Sequence, residues 1–163
     1  PTKVWNMEKL TREEVLSRAR DGKELQGKNL SGLDLRDSGI SFLTLPRGYV
    51  NLSGSKLSFV KINNSFLDGA NLQGCDLFRS DAGGATLVDA NLTEANLSGA
   101  DLRGAYLQDA NLTEAKLIGT DLRVANLTGA NLAGADLSKT DLRGATYDPA
   151  QLRDSKNVDG AIL

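Results

Sequence analysis

The stretch ANLTEANLSGADLRGAYLQD, residues 90–109, decides the fold, because one five-residue unit occurs in it four times. Such pentads run without a gap from Val50 to Pro149, and Leu holds the third position in 17 of the 20; the exceptions are Ile62, Ala82 and Tyr147. A period of five matches neither an α-helix nor an alternating strand. The pattern predicts a chain that points Leu and the small first residue inward and turns every five residues.

An earlier block of pentads is in a different register. Its apolar residues are also five apart: Leu25, Leu30, Leu35, Ile40 and Leu45. Leu45 and Leu52 are seven residues apart, and Pro and Gly in residues 46–49 mark a turn. We therefore predict a two-residue insertion there. The predicted organisation is an N-terminal segment at 1–22, a repeat region at 23–149 and a C-terminal cap at 150–163.

A longer period of twenty residues predicts four pentads per coil, with residues 20 apart stacked on one face. One such row consists of asparagines, which we expect to form a side-chain ladder: Asn51, Asn71, Asn91, Asn111 and Asn131. Another row repeats an Asp-Leu-Arg sequence at 101–103, 121–123 and 141–143. Because Asp and Arg flank the same inward Leu, both should point outward and pair.

These pentads resemble the pentapeptide-repeat family over residues 23–149. The resemblance implies an all-β fold, a right-handed quadrilateral β-helix, here of about six coils. Family members that confer quinolone resistance or toxin immunity mimic duplex DNA as acidic dimers and bind DNA gyrase. Other members are abundant in cyanobacteria and mostly have no assigned biochemical role.

Both ends of the repeat carry signals for short capping helices, which a solenoid needs to cover its open core. Thr11 to Glu14 forms a capping box before a helix at roughly 12–20, with Leu10 and Val15 placed as a hydrophobic staple. Asp148 and Pro149 open a second predicted helix that ends near Ser155 and carries Leu152 over the last coil. The apolar tail that follows is expected to cover the core or to form a dimer contact.

The composition excludes several classes of site. The chain has no histidine and one cysteine, Cys75, so it has no His-based triad and no multi-Cys zinc site. Cys75 holds a first, inward position and is interpreted as a buried replacement for Ala. No enzyme motif is visible, and the carboxylates recur at the repeat spacing beside Arg or Asn. We therefore predict a protein that is not an enzyme and binds no cofactor or metal.

Three surface features break the pattern. Apolar residues at outward positions of one face form a candidate partner surface: Phe66, Val88 and Tyr106. Acidic residues at turns that flank the Asn row form a candidate acidic edge with no base among them: Asp89, Glu94, Asp109 and Glu114. At Ala82 a Leu is replaced, which predicts a small void or a local bulge. Solvated corners remain the alternative for the acidic edge.

The leading functional hypothesis is a non-catalytic structural scaffold that binds a protein partner or forms a homo-oligomer. The alternative is an acidic DNA mimic that binds gyrase. Residues 50–146 contain 8 Lys and Arg against 11 Asp and Glu, a net charge of −3. B-DNA carries one charge per ~1.7 Å, so the alternative lacks uncompensated acids. The net charge of −2 argues against direct nucleic-acid binding.

No apolar run is long enough for membrane insertion. The N-terminal residues show no secretion signal. This favours the cytoplasm, whereas removal of a signal would place the chain in the periplasm or the thylakoid lumen.

Overall fold

The computed structural model describes residues 8–21, 28–29, 33 and 50–163. In residues 50–146 the chain forms stacked coils of four sides, and single-residue parallel bridges join residues 20 apart. We name each face by its ladder. The Asn face has Asn51, Asn71, Asn91, Asn111 and Asn131; the mixed-charge face has Lys56, Asp76, Asn96, Lys116 and Asp136; the Asp–Arg face has Lys61, Asp81, Asp101, Asp121 and Asp141; the aromatic face has Phe66, Thr86, Tyr106, Asn126 and Thr146.

Each pentad forms one side of a coil and the turn that follows it. In the first such turn the Ser55 N–H donates to the Leu52 carbonyl at 3.0 Å, and the residue between them at the corner, Gly54, has φ +64°. A positive φ at the third residue of a turn is the geometry of type II. Since the turns take up most of each pentad, each side contributes one bridge residue in place of a longer strand.

The core is a column of side chains along the rod axis, to which residues 90–109 contribute four Leu and four Ala. Leu at the third position and a small residue at the first are buried throughout the central coils, as at Leu102, Leu107, Ala105 and Ala110, each 0% exposed. Neighbouring coils are joined by backbone hydrogen bonds of regular length, such as 2.9 Å from the Asn91 N–H to the Ala70 carbonyl. The inward assignment of the first and third positions is therefore confirmed.

Polar residues at the inward first position keep their hydrogen bonds inside the core. Thr120 and Thr140 donate from Oγ1, at 2.7 Å, to the carbonyls of Leu97 and Leu117, each 23 residues earlier. Cys75 does the same with its thiol, 2.8 Å from the Leu52 carbonyl oxygen. Burial raises the pKa of Cys75 to about 12, so the sulfur stays a thiol and is not a reactive thiolate.

The first coils show the expected change of register. Lys9 bridges Asn29, a spacing of 20, whereas Asn29 bridges Asn51, a spacing of 22. The Lys56 N–H donates to the Leu33 carbonyl, which places two extra residues between Leu33 and Val50. The predicted insertion at 46–49 itself lies outside the described residues, as do the pentad residues Leu25, Leu30, Leu35, Ile40 and Leu45.

At the N-terminal end, helix α1 spans Arg12–Arg20. Its capping box is formed: the Thr11 N–H donates to Glu14 Oε2 at 2.7 Å, and the Glu14 N–H donates to Thr11 Oγ1 at 3.3 Å. Leu10 and Val15 are buried. The Leu10 N–H donates to the Asn29 carbonyl, as third-position residues of the repeat do. Leu10 is thus an inward residue of the Asn face, a role that the staple prediction did not include.

At the C-terminal end, the predicted helix is one turn of 3₁₀ helix, Pro149–Leu152, with Asp148 as its N-cap and Leu152 buried. Gln151 closes the capping box and donates from Nε2 to two carbonyls of the preceding coil. A second 3₁₀ turn spans Val158–Gly160. Between and after them the chain returns to the ladders, where Lys156 bridges Asp136 and Ile162 bridges Asp141. These bridges compete with a longer helix, which explains its early end.

Of the two outcomes predicted at Ala82, a small void or a local bulge, the bulge does not form. Ala82 is buried, its N–H donates to the Asp101 carbonyl at 2.8 Å, and the ladder from Lys61 through Asp81 continues on both sides. The backbone of a coil is fixed by its turns and by the coils above and below it, so the loss of one Leu side chain leaves the register unchanged.

Candidate interaction surface

The aromatic face presents large apolar groups at bridge positions, where the other three faces carry Asn, Lys or Asp in residues 50–146. Phe66 and Tyr106 lie on one ladder with Thr86 between them, and their side chains are 39% and 49% exposed. Val88 lies beside this ladder at the turn toward the Asn face and is half-buried. In the next two coils the ladder continues with polar residues, Asn126 and Thr146. The structure thus brings the three predicted residues to one face, in the coils between Phe66 and Tyr106.

The acidic edge divides into two edges. Asp89 and Asp109 lie at the corner between the aromatic face and the Asn face, whereas Glu94 and Glu114 lie at the opposite corner of the Asn face. All four adopt a left-handed backbone with φ of 56–58°. Lys156 Nζ is 2.5 Å from Glu114 Oε2, so a base from the C-terminal segment reaches that corner. Asp89 and Asp109 form no ion pair within the described ranges.

The Asn face is held mainly by local hydrogen bonds. Each Asn side chain of the row accepts from the backbone N–H two residues later, at 3.0–3.2 Å, as in an Asx-turn. Side-chain amide links join Asn51 to Asn29 at 3.3 Å and Asn91 to Asn71 at 3.4 Å. The asparagines therefore mainly shape the turns, and the expected side-chain ladder forms at only one of the four steps between Asn51 and Asn131.

The Asp–Arg face has the ion pairs that the sequence predicts. Arg103 contacts Asp101 through two nitrogens, with Nη2 2.6 Å from Oδ2, and its Nε is 3.8 Å from Asp121 in the next coil. Arg123 repeats both contacts, with Asp121 and with Asp141 of the next coil, whereas Arg143 repeats only the pair with its own Asp141. Hydrogen bonds from Arg143 lower the pKa of Asp141 to about 2. Asp101, Asp121 and Asp141 therefore each have an Arg of their own, which reduces the negative field of the rod. Asp81, on the same ladder, forms no ion pair within the described residues and accepts from the Gly83 N–H.

Two exposed apolar features were missed by the sequence analysis. Phe59 is 59% exposed and packs edge-on against Phe78 at 5.8 Å, while the guanidinium of Arg79 lies 5.3 Å from the centre of the Phe78 ring. Val124 is 71% exposed at the corner between the Asp–Arg face and the aromatic face. Phe59 and Val124 both have φ of +61°, a strained value for bulky residues. Their fifth position in the pentad was the available signal, because Gly is common there.

The described part of the chain contains no group of three or more Cys, Asp or Glu side chains placed to hold a metal ion. Among the helices of those residues, none has the length and apolar character required to span a membrane.

A known protein family matches the same repeats. The family described as Pentapeptide repeats matches in eight copies, over residues 51–81, 70–109 and 105–144. The chain is a pentapeptide-repeat protein. Proteins of this family form right-handed quadrilateral β-helices, which confirms the β-helix part of the predicted fold class, and they are generally not enzymes.

Solved structures of this pentapeptide-repeat family include two cyanobacterial relatives. Rfr23 from Cyanothece 51142 is 31% identical, with a TM-score of 0.57, over 93% of this chain and 98% of that one. Alr5209 from Nostoc PCC 7120 is 34% identical, with a TM-score of 0.52, over 66% and 84%.

QnrB1, a plasmid-mediated fluoroquinolone resistance protein, is 20% identical, with a TM-score of 0.50, over 80% and 77% of the two chains. That likeness shows the fold alone. Among curated proteins, none matches the chain.

Proposed function

We propose that this pentapeptide-repeat protein is a non-catalytic scaffold that binds a protein partner through its aromatic face. The observation that carries the proposal is the exposure of Phe66 and Tyr106 on one ladder, where a rod needs no apolar side chain. Exposed aromatic residues that become buried on association dominate many interfaces. The packed core and the continuous hydrogen bonds between coils support this role, because they hold the face rigid.

The proposal includes the capping of both open ends of the rod. Helix α1 and the C-terminal segment would cover the two open ends of the core, with Val15 and Leu152 as the buried contacts. A capped rod does not propagate by end-to-end stacking. Its sides are then the surfaces available for binding.

The test of the scaffold removes both aromatic rings. Phe66→Ser together with Tyr106→Ser should leave the melting temperature within about 3 °C of the unchanged protein, because the equivalent positions of other coils are polar. Association should weaken at least about ten-fold, since two anchors are lost. Light scattering would measure self-association, and covalent capture from cells of the native host would measure association with other proteins.

Ile118→Ser is the matched control for this test, because Ile118 is also 39% exposed but lies on the mixed-charge face. It should leave every association unchanged. If the double variant unfolds, the two rings belong to the core and the proposal is wrong. Unchanged association in a folded double variant would also reject it.

The second candidate is a DNA mimic that binds gyrase, and the favouring observation is the set of uncompensated carboxylates Asp89, Glu94 and Asp109. The Asp–Arg ladder and the Lys156–Glu114 pair oppose it, because they neutralise much of the negative charge. We expect no inhibition of gyrase supercoiling at stoichiometric protein. Inhibition that disappears when Asp89, Glu94, Asp109 and Glu114 are changed to Lys would favour the mimic.

A further inference from the structure

The aromatic face and one acidic corner form a single composite surface. Val88 and Asp89 are neighbours in one turn, and Tyr106 and Asp109 belong to the same pentad one coil further. Asp89 and Asp109 are therefore one coil apart, about 4.8 Å, along the edge of the face that carries the rings. The two candidate surfaces that the sequence suggests separately thus meet at this corner, while Glu94 and Glu114 lie across the Asn face.

The acidic corner of this composite surface carries uncompensated negative charge. Asp89 and Asp109 have no cation in the part of the chain described. The Asp109 side chain lies over the next turn, where a Cβ on Gly129 would contact its carboxylate. An occupant that complements this edge has to bring positively charged donors.

The rod face also limits the shape of the occupant. The backbone groups along the aromatic ladder already bond to the coils on both sides. The Tyr106 N–H and carbonyl bond to Ala85 and Leu87 in the preceding coil, and the Leu107 N–H and the Ala105 carbonyl bond to Asn126 in the next one. A partner therefore cannot add a strand to this face and has to contact it through side chains.

The spacing of the groups fits a helix that lies along the rod axis. Phe66 and Tyr106 are two coils apart, about 9.6 Å, and helical residues i and i+7 are about 10.5 Å apart along the axis. Asp89 and Asp109, about 4.8 Å apart, match helical residues i and i+3, which are about 4.5 Å apart.

We propose that this composite surface binds a basic amphipathic helix of a partner protein, with apolar residues seven apart on the rings and Lys or Arg residues three apart on Asp89 and Asp109. The inference rests on the proposed scaffold function and names the chemistry of its partner. A second copy of this chain is the other occupant, and self-association is measured in the same experiment.

The probe is a fluorescein-labelled, Ala-rich 18-residue helical peptide with two Leu seven apart and two Lys three apart beside them. Its binding to the full chain is followed by fluorescence anisotropy at low and high salt. Asp89→Asn with Asp109→Asn should weaken binding about five-fold at low salt and less at high salt, because exposed ion pairs are weak and screened. Asn tolerates the left-handed backbone of both positions. Phe66→Ser with Tyr106→Ser should weaken binding at least about ten-fold.

Two matched controls should bind the peptide as the unchanged protein does: Glu94→Gln, which removes a carboxylate of the same backbone geometry, and Ile118→Ser. A peptide with Glu in place of both Lys should not bind. The inference is overturned if the Lys peptide does not bind, if the Glu peptide binds equally well, or if the Asp variant matches the Glu94→Gln control. Light scattering that shows a dimer dependent on Tyr106 would assign the surface to a second copy instead.

The inference and the scaffold proposal can fail separately. Partner capture that depends on Phe66 and Tyr106 but not on Asp89 and Asp109 retains the scaffold and rejects the basic helix. Capture that depends on none of these residues rejects both, whatever the peptide does.

Discussion

Leu102→Asp is expected to abolish the cooperative folding of the rod. Leu102 is 0% exposed in the middle of the packed core. Removing a buried Leu side chain alone costs about 2–5 kcal/mol, and an unpaired buried carboxylate adds a desolvation cost of several kcal/mol. The sum is comparable with the whole stability of a typical domain, about 5–15 kcal/mol. Thermal unfolding followed by circular dichroism should show no native transition.

Ile118→Asp is the matched control, because the same aliphatic-to-acid change is made at an outward position next to the buried Leu117. Its free energy of unfolding should change by no more than about 0.5 kcal/mol. Equal melting temperatures for Leu102→Asp and the unchanged protein would show that the third position of the pentad is not inward.

Ala110→Leu has the second-largest expected effect. Ala110 holds the small inward position of a coil that is closed on four sides, and its neighbours above and below, Ala90 and Ala130, are also buried. Extra methylene groups in a packed core typically cost about 1–3 kcal/mol. The upper end of that range is expected, because the turns and ladders of a closed coil cannot expand. Denaturant unfolding would measure the loss.

Ala145→Leu is the control for position within the pentad. Ala145 holds the same first position in the last coil but is only partly buried, so an added side chain can turn toward solvent. It should cost less than half as much as Ala110→Leu. If both substitutions cost the same, the tight fit of the central coils is not the cause.

Much of the fold could be predicted from the sequence because the pentad is a local rule. Leu at the third position and Ala at the first indicate which side chains point inward. The spacing of 20 indicates which residues stack. The pairs of the Asp–Arg face followed from the same rule, because both residues flank one inward Leu. The missed apolar residues Phe59 and Val124 occupy the turn position where the rule usually places Gly.

The candidate surface could be predicted only in part, because some of its contacts join the repeat to the C-terminal segment, which does not follow the pentad pattern. The phase of the repeat placed Phe66 and Tyr106 on one face. It did not show that Lys156, which belongs to the C-terminal segment, pairs with Glu114 across 42 residues.

By itself, the sequence determined the pentads, the coil of twenty residues and the inward positions, since each depends on contacts within one coil or between residues a fixed distance apart. Only the tertiary structure decided how the ends close. The C-terminal chain pairs with Asp136 and Asp141 in place of a longer helix, and Leu10 joins the core one coil before the recognisable repeat. It also decided which acids keep their charge uncompensated beside the aromatic face. The physical reason is that ladder hydrogen bonds and ion pairs between coils form wherever stacking brings the groups together, whatever their separation in the chain.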